Sequence, residues 1–259
     1  MKNDTTLGTV VWITGAGTGI GRALALQLAA DGCAVAASGR KTASLNALVT
    51  EASPLIGSVT SFPLDVTDAV QQEKCVKMIE TALGPIDLLI CNAGTHRSAG
   101  AATFSSEAFQ QLLDVNLMGA VHGLAAILPR FINRRRGRIA IMSSVAGYRG
   151  LPSAAAYGAT KAALINMAEA LKPDLERYGI SISIICPGFV KTPLTDQNTF
   201  PMPFLMDADA AAKRILRGLR RGRFEISFPR RLTFWIKLSR LLPNAVFFWF
   251  TRKMVRHRE

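Results

Sequence analysis

Short, nearly continuous apolar runs alternate along the chain with segments whose apolar positions recur every three to four residues. Residues 9–13 (TVVWI) are the first run. A glycine-rich turn follows, then helical spacing over IGRALALQLAADG, closed by Gly32. Strands are predicted at 34–38, 59–66, 138–144 and 180–186, and another within IDLLICNAG. Helices are predicted at 42–51 and at 69–82, the latter capped by Asp68 and stopped by Gly84-Pro85, with two long ones at roughly 106–135 and 157–178. Apolar strands that alternate with helices belong to a parallel sheet covered on both faces. The expected fold is therefore α/β, a doubly wound Rossmann-type sheet in a single domain, with ligands gathered beyond the carboxyl ends of the strands.

Length and composition agree with one sizeable core: 259 residues, 49% hydrophobic and 19% charged. The four cysteines are scattered, with no C-x-x-C pair, which suits buried thiols in a reducing compartment. The N-terminus has no apolar signal-like stretch, so a cytoplasmic location is expected. Charge is uneven. Residues 1–212 carry 17 Lys and Arg against 16 Asp and Glu, whereas residues 213–259 carry 14 against 2. On this reading the basic excess belongs to a tail.

The chemically suggestive residues fall at strand ends. TGAGTGIG spaces Gly15, Gly19 and Gly21 at the head of the first helix, whose N–H groups and dipole suit a pyrophosphate. After the second strand, where an acid would read a ribose hydroxyl, stand Arg40 and Lys41. Two cations there suit a 2′-phosphate and point to NADP(H). Asp65 and Val66 follow the third strand, placed to meet an adenine edge, although Asp65 would equally cap a turn. Tyr157 and Lys161 stand four apart on one helix face, where an ammonium lowers a phenol pKa from its usual ~10. A lone pair of this kind would more simply be a packed tyrosine and a solvated lysine. His96, His122 and His257 share no metal-ligand spacing, so no metal site is expected. Arg134, Arg135 and Arg136 end a helix, where cations complement its dipole.

Taken in order, T-G-x-x-x-G-x-G at 14–21, N-A-G at 92–94, Asn116 in LDVNLMG, Ser144 in IMSSVAG, Tyr157-x-x-x-Lys161, and Pro187-Gly188 leading to Thr192 resemble the short-chain dehydrogenase/reductase family over about residues 7–228. Cys91 departs from the family pattern, which often has a second Asn there. The resemblance implies that Tyr157 is the general acid/base, and that Lys161 lowers its pKa and binds the nicotinamide ribose. It implies that Ser144, thirteen residues before Tyr157, hydrogen-bonds the substrate oxygen; adjacent Ser143 faces the other way. Asn116 would hold a water that relays protons to Lys161. The dinucleotide would be held by Gly15, Thr18, Gly19, Ile20 and Gly21, by Arg40, Lys41, Asp65 and Val66, and by Asn92, Ala93 and Gly94. Pro187, Gly188, Val190 and Thr192 would complete its contacts, together with Tyr157 and Lys161.

After a seventh strand in RFEISFP the chain continues into a basic, aromatic-rich extension. We divide it into a catalytic domain, 1–228, and an extension, 229–259. Polar residues at 230, 233, 237, 240 and 244 recur at nearly helical period, and Pro243 separates a second apolar piece, 245–250. The longest uncharged run, 241–251, has 11 residues, too few to span a bilayer. Three occupants of its apolar face are open: a membrane surface, which some basic-tailed family members that act on lipids also suggest, the domain or a second copy, and an acidic partner such as nucleic acid. Residues 188–206 form an expected lid whose Phe200, Met202, Phe204, Leu205 and Met206 would close over a hydrophobic substrate, or else meet the tail. The combined reading is an NADP-dependent oxidoreductase that interconverts a carbonyl and a secondary alcohol, on a hydrophobic or lipid-like substrate at a membrane surface, as a homo-oligomer. One alternative is the same chemistry on a soluble polar substrate, with the tail as an oligomer contact. Another is an NADP-sensing or nucleic-acid-binding regulator, which would have no use for a proton relay.

Overall fold

The computed structural model describes residues 9–97, 100–196 and 201–255. Its main strands are β1 (Val10–Thr14), β2 (Ala34–Gly39), β3 (Ser58–Pro63), β4 (Leu88–Cys91), β5 (Gly137–Met142) and β6 (Ile180–Pro187). Two short strands, β7 (Val190–Lys191) and β8 (Met206–Asp207), pair with each other, and β9 (Glu225–Phe228) returns to the main sheet. Every pairing is parallel, in the order β3-β2-β1-β4-β5-β6-β9. The chain winds outward in both directions from β1 and β4, which opens a crevice at their carboxyl ends. β1 is buried at all five positions, as a strand sandwiched between helix layers must be. Trp12 can lie fully buried there because its indole N–H donates to Ser38 Oγ at 3.0 Å.

One face of the sheet is covered by α1 (Gly19–Ala30), α2 (Thr42–Ala52) and α7 (Ala208–Arg220), the other by α3 (Ala69–Leu83), α5 (Gly119–Asn133) and α6 (Ala155–Glu176). Asp68 caps α3 as expected, accepting the Gln71 N–H at 2.9 Å. The predicted helix at 106–135 is three joined pieces: α4 (Ser106–Leu112), a π-helical turn Leu113–Met118, and α5. The whole run, Ser106–Asn133, is apolar and long enough to cross a membrane, but Leu124, Ile127 and Phe131 pack into the domain core.

The basic excess divides differently from the tail reading. Lys213, Arg214, Arg217 and Arg220 belong to α7, whose other face buries Ala211, Ile215 and Leu219. Arg220 pairs with Asp31 at the end of α1. Much of the charge therefore coats the domain itself.

Beyond β9, α8 (Arg230–Ser239) and α9 (Asn244–Val255) lie against the domain. Leu232 and Ile236 pack on the core, and Thr233, Phe247 and Thr251 are buried. The opposite faces expose Phe234, Trp235, Phe248, Trp249 and Phe250, and the link between the helices exposes Leu241.

Candidate active site

A cleft of about 610 Å³ opens at the carboxyl ends of the strands, where the winding reverses. At one end the β1–α1 turn brings Gly15, Thr18, Gly19 and Ile20 to its wall. Gly15 has φ +67°, and a Cβ there would lie 2.7 Å from the Ala93 Cα, so neither the backbone angle nor the space admits a side chain. Gly21 stands behind the wall instead. A Cβ on it would meet the Gly15 carbonyl oxygen at 2.3 Å and Asn92 Nδ2 at 2.4 Å. Asn92 ties the turn to β4, donating from Nδ2 to the Thr14 and Gly15 carbonyls at 3.0 Å each. Thr14 Oγ1 accepts the N–H groups of Asn92 and Ala93 in return.

Arg40 and Lys41 are exposed at the far lip of the cleft, with Ser44, from the first turn of α2, beside them. Asp65 and Val66 also line it, and Asp65 caps its own turn, accepting the Thr67 N–H at 3.0 Å and the Thr67 hydroxyl at 2.9 Å. Asp65 thus caps its own turn while lining the cleft. Ala93, Gly94, Pro187, Gly188, Val190 and Thr192 complete the lining from β4, β6 and the segment after it. Thr195, absent from the sequence reading, joins them and accepts the Thr192 N–H at 2.9 Å.

At the other end, α6 and the end of β5 bring Tyr157, Lys161 and Ser144 to one wall. Adjacent Ser143 donates its hydroxyl to the Lys161 carbonyl at 2.8 Å and so anchors α6 to β5. The Ser144 hydroxyl accepts the Ala146 N–H at 3.2 Å and points to the Pro187 carbonyl at 3.5 Å, and its nearness to the Tyr157 phenol favours the phenolate.

The tyrosine and lysine are arranged differently from the expected direct pairing. Lys161 Nζ donates to the Met142 carbonyl at 2.8 Å and lies 5.6 Å from the centre of the Tyr157 ring. Burial pushes the Tyr157 phenol above its ordinary value, and the Ser144 hydroxyl only partly offsets this. Burial also brings the Lys161 ammonium down to about 8. In the protein alone the tyrosine is thus a protonated acid.

Asn116 does not line the cleft. It sits in the π-helical turn, buried, with both ends of its amide on Thr95: Oδ1 accepts the Thr95 N–H at 2.7 Å and Nδ2 donates to the Thr95 carbonyl at 2.9 Å. Nδ2 also reaches Thr160 Oγ1 at 3.3 Å. Oδ1 also lies close to Gly94, where a Cβ would come 3.3 Å from it and 3.6 Å from Lys161 Nζ. A π turn at such a site re-aims one side chain without ending the helix.

His96 is a site neighbour that metal-ligand spacing could not reveal. Its ring meets that of Tyr157 edge to face, with centroids 4.7 Å apart, and burial lowers its pKa, keeping the imidazole neutral. In the expected lid, Phe204 and Leu205 are exposed and Met206 packs on the core, while Phe200 lies outside the described residues. Pro193, Leu194 and Thr195 of this segment line the cleft instead, beside Gly188, Val190 and Thr192.

Comparison with known proteins follows the same lines. The family model for short chain dehydrogenase matches residues 9–201. An uncharacterized oxidoreductase of Myxococcus xanthus is 40% identical over 235 residues, covering 91% of this chain and 93% of that protein. The 3-oxoacyl-[acyl-carrier-protein] reductase FabG of Thermotoga maritima is 36% identical over 190 residues, or 73% of this chain and 77% of its own length. Among solved structures, a short-chain dehydrogenase from Sphingobium yanoikuyae in complex with NADPH superposes with a TM-score of 0.80 at 26% identity, covering 90% of this chain and 92% of that one. A short chain dehydrogenase/reductase from Burkholderia phymatum in complex with NAD superposes with 0.83 at 25%, covering 90% and 93%.

Proposed function

We propose that this chain, which belongs to the short-chain dehydrogenase/reductase family, is an NADP(H)-dependent oxidoreductase that interconverts a carbonyl and a secondary alcohol on a hydrophobic, acyl-like substrate. One observation carries the reading: Tyr157, Ser144 and Lys161 meet at one end of a cleft whose other end holds the glycine turn, Arg40 and Lys41. NADPH, when bound, supplies the hydride. The chain's own groups handle the oxygen and the proton. A substrate carbonyl between the Ser144 and Tyr157 hydroxyls accepts two hydrogen bonds that strengthen as charge gathers on its oxygen. Tyr157, held protonated by burial, donates its proton to that oxygen, and alcohol oxidation runs the same transfer backwards. The nearby Lys161 charge steadies the phenolate that remains, and a water held by Asn116 Oδ1 and Lys161 Nζ, which both approach Gly94, would return the proton. The glycine turn, Asn92 and Thr192 would hold the dinucleotide, with its 2′-phosphate against Arg40, Lys41 and Ser44.

The acyl-like substrate class is supported by the relative named as a 3-oxoacyl reductase and by the aromatic face of the extension. We place residues 229–259 on an anionic bilayer surface, at the cytoplasmic side. Trp235 and Trp249 are 66% and 53% exposed there, and the extension carries eight Lys and Arg against one Glu. Self-association through the same face is the competing use, which would leave a polar, soluble substrate in play.

The test is NADPH-dependent reduction of 3-oxoacyl thioesters of rising chain length, with sedimentation on anionic vesicles run alongside. Rates that rise with chain length, and binding lost on replacing Trp235, Phe248 and Trp249 by Ser, are expected. Fastest turnover of short polar carbonyls would overturn the substrate class. Unbound full-length protein, with a mass that falls on the same replacements, would assign the face to self-association.

A further inference from the structure

The turn that carries Ser144 is gripped from outside the domain. Ser144 opens the short 3₁₀ turn Val145–Gly147, and Gly147 lies so close to α6 that a Cβ on it would come 2.7 Å from the Lys161 carbonyl carbon. The turn therefore sits directly against the backbone of the lysine, and its outer side is held by the next two residues. Tyr148 is buried and donates its hydroxyl to Glu225 Oε1, at the start of β9, at 2.8 Å. Lys237 of α8 donates to both oxygens of the same carboxylate at 2.6 Å and lies 5.2 Å from the Tyr148 ring centre. Burial works against the Glu225 charge, but the bonds from Lys237 and Tyr148 outweigh it and keep the carboxylate ionised.

Arg149 makes the second bridge. From Nη2 it donates at 3.2 Å to the Leu242 carbonyl and at 3.2 Å to Asn244 Oδ1, the residues on either side of Pro243. Its guanidinium lies 3.8 Å from the ring centre of Phe247, a buried side chain of α9. A partly desolvated cation stacked on an aromatic face, with two further hydrogen bonds, is a contact of fixed geometry rather than a loose surface pair. Both helices of the extension thus hold the consecutive residues, Tyr148 and Arg149, that directly follow the Ser144 turn.

We propose that the extension is a clamp on the Ser144 turn, in which Arg149 and Lys237 are positioning residues that act through the Ser144 hydroxyl. The proposal rests on the reading of Ser144 as the ligand of the substrate oxygen. An oxyanion donor must be in place before reaction, and a small displacement is costly, so loosening the clamp lowers turnover without touching the cofactor end of the cleft.

The test uses the full chain and a four-member cycle: the unaltered protein, Arg149→Met, Ser144→Ala and both together, with Lys237→Met and Lys237→Arg beside them. Expected are a kcat about tenfold lower for Arg149→Met and for Lys237→Met, unchanged NADPH affinity, and restoration by Lys237→Arg. In the Ser144→Ala background, read under single turnover, Arg149→Met should then change the rate less than twofold. Amide exchange at Ala146 to Arg149 should quicken in Arg149→Met. The same tenfold loss in both backgrounds, or an equal loss of NADPH affinity, would overturn the clamp. If Ser144→Ala keeps full activity, the assignment of Ser144 fails instead, and unchanged amide exchange in Arg149→Met then overturns the clamp on its own.

Discussion

Asn116 holds both backbone polar groups of Thr95, accepting its N–H at 2.7 Å and donating to its carbonyl at 2.9 Å. A side-chain amide thereby pairs like a strand neighbour with the loop that follows β4, the loop that also carries His96. The side chain of Asn116 is first of all a brace, and its placement by the π turn makes the brace possible.

Asn116→Ala should therefore do more than lose a relay. It leaves the part-buried Thr95 groups unpaired, which costs about 1–3 kcal/mol of stability. Thermal denaturation should show the loss, and kcat should fall on the order of 100-fold as the loop moves against Tyr157. A variant as stable and as active as the parent would remove the brace.

Tyr157→Phe keeps the ring that packs edge to face on His96 and deletes only the hydroxyl. Turnover should drop by about 10²–10⁴ while NADPH affinity, read by fluorescence titration, stays within about twofold. Retained turnover would exclude Tyr157 as the proton donor.

Arg40→Ala removes one exposed cation at the lip of the cleft without disturbing the core. A charge-assisted bond to phosphate is worth about 1.5–3 kcal/mol, so NADPH binding should weaken on the order of 10- to 100-fold and NADH binding hardly at all. Equal losses for the two cofactors would sink the 2′-phosphate assignment.

The pH profile should report Lys161 before Tyr157. Burial places the lysine at about 8, below its ordinary 10.5, and holds the tyrosine above 10. Reductive kcat/KM of the free enzyme should be level through neutrality and decline as pH rises through about 8, where the ammonium loses its proton. Folding stability should move the opposite way. Between about 8 and 10.5 the unfolded chain binds the proton that the folded lysine has released, so this group's contribution to stability rises with pH across that window. A rate level to pH 9.5 would exclude control by Lys161.

The order of strands and helices and the parallel sheet were legible because burial on two faces leaves continuous apolar runs, and helices on a sheet leave a period near 3.6. The glycine turn was legible because local backbone geometry demands glycine, Tyr157 with Lys161 because their spacing sets them on one helix face, and Arg40 with Lys41 as two cations where a strand meets a helix. The structure gathers all of these along one cleft.

What tertiary structure decided is where polar groups find partners once water is withdrawn. Lys161 turns to the Met142 carbonyl instead of the Tyr157 hydroxyl because a buried ammonium takes the nearest fixed acceptor. Gly21 and Asn116 work from behind the wall, through contacts with Gly15 and Thr95 that no spacing announces. The basic excess looked like a tail because α7, which carries Lys213, Arg214, Arg217 and Arg220, packs on α1, far away in sequence. Arg149 meets Phe247 across almost a hundred residues, and only the packing of α8 and α9 beside β9 brings them together. Local pattern specifies the elements and the turn chemistry; long-range desolvation and packing choose the partner of each buried polar group.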